Sequence, residues 1–87
     1  MSISQTTFTL EELHGILVDM AGMGPLVATG DRDTSYEELG IDSLGFLEVQ
    51  VELQQRFGIE IPEADAARIN TLGATVDYIN QRIAERG

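Results

Sequence analysis

Ser43 stands directly after Asp42 and just before an apolar periodic run, and it is the residue in this chain that best fits the role of a chemical handle. A serine at a helix start is, in the plainest reading, an N-cap. A phosphate attached to its hydroxyl would face free amides and the positive end of the helix dipole, so a phosphodiester would be tolerated there. Other groups offer less. His14 is the single histidine, sits beside Gly15 in a helical pattern and has no cysteine to act with, which makes it a surface or boundary residue. Asp42 next to Ser43 forms no triad, because no base is at hand to activate the hydroxyl. The pairs Glu11-Glu12 and Glu37-Glu38 need a cleft to work as acid and base, and a small domain has little room for one. Asp31-x-Asp33-x-Ser35 opens like a calcium loop, yet Tyr36, Glu38 and Asp42 fall where that loop requires glycine, an apolar residue and glutamate. These residues describe no enzyme and no metal site.

The elements that must position Ser43 are helical. Thr9-Leu10-Glu11-Glu12 fits a capping box, and Leu10, Leu13, Leu17 and Met20, with Ile16 beside them, form one stripe. This predicts a first helix over Leu10–Ala21, stopped by Gly22, Gly24 and Pro25. From Gly22 to Thr34 no period emerges, so a long connection follows, of the length that tends to be functional, with Met23, Leu26 and Val27 as its pegs to the core. Ser35–Gly40 reads as one capped turn closed by glycine. Asp42-Ser43 then opens a helix that runs to Phe57 and ends at Gly58. Ile59–Pro62 is extended, since the residue before proline avoids the α region. A short helix over Glu63–Ile69 and a last one capped by Thr71, with the stripe Leu72, Val76, Ile79 and Ile83, complete the chain. The expected fold is all-α: a small four-helix bundle, three longer helices plus one short, with a long loop between helices one and two.

The helix behind Ser43 carries one stripe too many. At 100° per residue from Leu44, the residues Phe46, Val49, Leu53 and Phe57 cluster at about 140–220°, and Leu44, Leu47 and Val51 at about 300–360°. The first set is longer and bulkier and is the better core. A helix sandwiched with both stripes inside is the other arrangement, and it needs more neighbours than four helices supply. Glu48 and Glu52 border the second stripe, and an apolar strip rimmed by carboxylates suits proteins with basic collars around apolar clefts.

Composition agrees. The 87 residues carry 5 basic and 15 acidic side chains, a net charge of −10, with a pI of about 4.1. Between Asp31 and Asp65, ten acids face only Arg32 and Arg56, which places −8 of the −10 around one helix. Such a surface repels nucleic acid and steers cationic partners, less so as salt rises. With 43% hydrophobic and 23% charged residues the chain can close a modest core as a single domain over residues 1–87, with residues 1–7 frayed. There is no cysteine, hence no disulfide and no thiolate site. No apolar run is long enough to span a membrane, and Met1–Phe8 has neither the basic flank nor the apolar segment of a secretion signal. The expectation is a soluble cytoplasmic module that meets basic proteins.

Leu39-Gly40-Ile41-Asp42-Ser43-Leu44 resembles the Leu-Gly-x-Asp-Ser-Leu attachment motif of acyl carrier proteins. The resemblance extends from Phe8 to Ile83. Glu48 falls where the family places an acid one turn on, Phe57-Gly58-Ile59-Glu60-Ile61-Pro62 is similar to its helix-ending stretch, and Thr71 with Asp77-Tyr78-Ile79 to its final helix. It implies that a dedicated transferase moves 4′-phosphopantetheine from coenzyme A onto Ser43, flanked by Asp42 and Leu44. The arm's thiol then holds a growing acyl chain as a thioester. The attached group supplies the reactive atom, which suits a chain with no thiol of its own.

Within the family, Leu17-Val18-Asp19-Met20-Ala21-Gly22, Tyr36-Glu37-Glu38-Leu39-Gly40 and Asn80 after Ile79 look most like discrete carriers of bacterial type II polyketide synthases. Fatty-acid carriers usually place acids where this chain has Gly45, Ala64 and Ala67. The fatty-acid carrier is therefore the nearer alternative, and an acidic helical module with Ser43 as a mere cap the more distant one. The implied partners are a phosphopantetheinyl transferase, a ketosynthase with its chain-length factor, a malonyl transferase and tailoring enzymes. They would meet a monomeric carrier at Leu44, Leu47, Glu48, Val51, Glu52 and Glu63, with no nucleic acid, membrane or metal involved.

Overall fold

A computed structural model describes residues 7–20 and 30–86. It contains four helices, α1 (Leu10–Asp19), α2 (Ser43–Phe57), α3 (Glu63–Ala66) and α4 (Leu72–Arg86), and no strand among the described residues beyond a single bridge between Ser35 and Thr71. The fold is the expected all-helical one, with a loop between α1 and α2.

The local signals act as read. Thr9 and Glu12 close the capping box of α1, Thr9 Oγ1 accepting from Glu12 N–H and Glu12 Oε1 from Thr9 N–H. The helix ends two residues before the predicted Ala21. Met20 is already extended, and its N–H bonds back to the carbonyls of Ile16 and Leu17. Ala21, the stop residues Gly22, Gly24 and Pro25, the pegs Met23, Leu26 and Val27, and residues 1–6 lie outside the described residues. Ser35 and Glu38 exchange side-chain bonds in the turn before α2, which closes at Gly40 (φ 82°). Gly40 and the α2 C-cap Gly58 (φ 65°) both occupy the left-handed region, where a β-carbon is disfavoured. α3 is shorter than the predicted 63–69. Arg68 and Ile69 N–H bond three residues back, to Asp65 and Ala66, so the chain tightens out of the α-helix there.

The core takes one face from each long helix. Leu13, Ile16 and Leu17 of α1, Val49 and Leu53 of α2, and Leu72, Val76 and Ile79 of α4 are buried, joined by Tyr36, Ile41, Ile59, Ile61 and Ile69 from the connections. Each such side chain contributes roughly 1.5–3 kcal/mol by leaving water. The aromatic ends of the α2 stripe are half-buried and find rings: Phe46 lies 4.8 Å from Tyr36 and Phe57 5.0 Å from Phe8, centroid to centroid.

The loop before α2 is fastened to α4. The first α4 amides, which no helix can satisfy from within, reach loop carbonyls: Leu72 N–H donates to Thr34 O and Gly73 N–H to Arg32 O. Tyr36 Oη and Thr75 Oγ1 are 2.6 Å apart inside the core, and Thr75 also donates to the carbonyls of Ile69 and Thr71. Burial pushes the Tyr36 phenol up to about 12. Arg32 pairs with Asp77. His14 is half-buried and its Nε2 donates to Gly30 O at 2.7 Å, which ties the loop to α1. Asp31 Oδ1 accepts from Asp33 N–H and Thr34 Oγ1, and the Thr34 hydroxyl leads in holding its carboxyl below the ordinary range.

A polar clasp joins α3 to α4. Tyr78 Oη donates to Asp65 Oδ2 at 2.7 Å, Arg68 donates to Asp65 Oδ1, and Arg82 reaches Tyr78 Oη. The Tyr78 hydroxyl, followed by the Arg68 charge, lowers the Asp65 carboxyl.

Candidate functional site

The capping of α2 separates two adjacent polar residues. Asp42 is the N-cap: Oδ1 accepts from Gly45 N–H at 2.8 Å and its carbonyl takes Phe46 N–H. Ser43 is the first helical residue and exposed, and its hydroxyl has no hydrogen-bond partner among the described residues. The reading of Ser43 as the cap is thus corrected. Two good capping residues stand side by side, and the backbone leaves its extended conformation at Asp42, so only that carboxylate reaches back to the third helical amide. The amides of Ser43 and Leu44 belong to the first turn and have no intrahelical acceptor.

An open cleft of about 620 Å³ begins at Asp42 and Ser43. Ser35, Tyr36 and Glu37 of the preceding turn, Gly40 and Ile41, Phe46 of α2, and Asn70 ahead of α4 complete its lining. Nothing in the spacing pointed to Asn70. It comes close because Tyr36 N–H bonds its carbonyl, a pairing between segments 34 residues apart that no local pattern announces.

The second stripe of α2 is outside, as expected: Leu44 is 64% exposed, Leu47 53% and Val51 42%. Leu47, Glu48, Val51 and Glu52 line one groove together. Leu44 is on the same helix but in neither cavity, and Glu63 is exposed at the start of α3 and outside that groove. Asp19 and Met20, at the end of α1, share the groove and were not among the residues singled out for binding. Met20, the last residue of the α1 stripe, is half-buried and packs against the edge of the core.

A family model described as a phosphopantetheine attachment site matches residues 11–79. The chain belongs to that family. Its fold is also that of solved acyl carriers. It matches the solution structure of hexanoyl ACP, described as a non-natural intermediate, from the actinorhodin polyketide synthase in Streptomyces coelicolor. The TM-score is 0.82 at 30% identity, over 97% of this chain and 100% of that one. A second match, to the 3-oxo-butyl-ACP intermediate mimic from the same synthase, has a TM-score of 0.76 at 34% identity, over 94% and 98%. The group the phosphopantetheine-attachment family carries is 4′-phosphopantetheine, and the residues here fit it. A serine hydroxyl with no hydrogen-bond partner among the described residues stands in the first turn of a helix, where free amides and the dipole favour a phosphodiester. An open cleft adjoins it, with an apolar contribution from Ile41 and Phe46 and polar ones from Ser35 and Asn70.

Proposed function

We propose that Ser43 is the attachment residue and that the chain is a discrete carrier of polyketide intermediates. The observation that carries this is the division of labour at the α2 entrance: Asp42 caps the helix, which leaves at its positive end an exposed hydroxyl with no hydrogen-bond partner among the described residues. The bound arm would supply a thiol able to hold an acyl chain as a thioester. The chain's own contributions are to orient the phosphodiester through the first-turn amides, to offer the cleft as partial shelter, and to dock enzymes. Docking falls to Leu44, Leu47, Glu48, Val51 and Glu52 of α2, with Glu63 of α3 as an outlying acid. The similarity to carriers of a polyketide synthase supports polyketide assembly, and no comparison supports the fatty-acid alternative.

On this reading residues 1–87 form one carrier domain without a catalytic site of its own. It works as a cytoplasmic monomer with a phosphopantetheinyl transferase, a ketosynthase with its chain-length factor, a malonyl transferase and tailoring enzymes. Among the described residues no helix is long and apolar enough to cross a membrane. Incubation with coenzyme A and a promiscuous phosphopantetheinyl transferase, followed by intact-mass measurement, tests the attachment. The expected result is a gain of one phosphopantetheine that Ser43→Ala abolishes. No gain, or a gain that survives the substitution, rejects Ser43 as the handle.

A further inference from the structure

The exposed face of α2 is a ridge on one side and the wall of a groove on the other. The groove, about 530 Å³, runs between the end of α1 and the middle of α2. Met20, Leu47 and Val51 give it an apolar lining, and Asp19, Glu48, Glu52 and Arg56 are its charged residues. Arg56 is already engaged, its Nε 2.6 Å from Glu52 Oε2. Asp19 and Glu48 have no ion pair among the described residues, so two unneutralised carboxylates, one from each helix, stand beside a strip of exposed apolar surface. The volume exceeds what a single aliphatic side chain needs. The apolar part repays burial only against another apolar group, while the free carboxylates select a cationic surround.

We infer that this groove receives a branched apolar side chain flanked by arginine or lysine, presented by an enzyme that acts on the carried chain, so that Asp19 and Met20 of α1 belong to the docking surface. This rests on the carrier reading of α2 and extends it. The ridge residue Leu44 meets a partner by projecting outward. The groove works the other way round, with the partner's side chain entering the carrier. A partner must then match both features, which fixes how the bundle is rotated against it and hence where Ser43 is aimed.

The probes are two capped pentapeptides, one with leucine at the centre of four arginines and one with serine in its place, titrated into the isotope-labelled full chain. With the leucine peptide, amide resonances of Asp19, Met20 and Val51 move and the Met20 methyl shows contacts to the leucine methyls. With the serine peptide the same shifts are at least threefold smaller. Asp19→Asn combined with Glu48→Gln weakens the leucine peptide's affinity about two- to thirtyfold, the range expected from two exposed charge interactions, without changing the melting curve. Equal responses to both peptides would mean attraction by charge without insertion and would overturn the inference. So would leucine-dependent shifts at Leu44 that leave Asp19 and Met20 still, or no response to either peptide. Loading of Ser43 is read separately by mass, so a silent groove on a chain that loads normally rejects the groove and leaves the carrier intact.

Discussion

The Asp42 carboxylate accepts from Gly45 N–H while the Ser43 hydroxyl has no hydrogen-bond partner among the described residues, so truncating each should give opposite results. Asp42→Ala is expected to lower stability by about 0.5–2 kcal/mol, the usual cost of a lost cap, and Ser43→Ala to melt within about 0.5 kcal/mol of the parent in denaturant titration. Equal losses would return the capping role to Ser43. This detail was not legible in the sequence, because aspartate and serine are both strong caps and only the backbone decides between them. At the core, the buried Tyr36 phenol is held up to about 12 mainly by desolvation. Unfolding would release it to its ordinary value of 10.0. Its contribution is therefore fully present below pH 10, declines as the unfolded chain ionises, and is lost by about pH 12, a fall of roughly 3 kcal/mol. Equilibrium unfolding across that window should show a clearly smaller fall in Tyr36→Phe than in the parent, the remainder coming from the Tyr78 phenol, which burial and the Asp65 carboxylate also hold up.

Among the elements, α2 was the most legible. Two stripes on opposite sides of one helix required that one be outside, and bulk and length chose between them correctly. Leu53→Ala should cost about 2–5 kcal/mol, since that side chain is fully buried. Leu47→Arg should leave thermal melting unchanged and slow acyl transfer from a partner enzyme. A collapse of melting in Leu47→Arg would place that side chain in the core. What periodicity could not supply was the neighbourhood of each element. The bonding of Leu72 and Gly73 amides to loop carbonyls, and the contact of the Tyr36 hydroxyl with Thr75, join segments about 40 residues apart in the chain. The short α3 was overextended for a related reason. Ile69 follows the apolar pattern, yet it is buried from a tight turn rather than from a helix.

For the molecule as a whole, charge is the property that composition conveys without ambiguity. A net −10 on so small a body creates a field that reaches a basic enzyme before contact. Raising ionic strength from 0.01 to 0.15 M shortens the screening length from about 30 to about 8 Å, so association with a basic transferase should slow by about tenfold or more in stopped-flow measurements. A rate indifferent to salt would mean that contact, not steering, governs encounter. One further property of the whole follows from Asn80, whose amide both accepts from Phe8 N–H and donates to Phe8 O. Arg86 is only six residues, about 9 Å of helix, beyond that clamp. Polypeptide added at either end would thus enter and exit by the same doorway, and a short splice joining residues 86 and 7 should permit circular permutation with the bundle undisturbed.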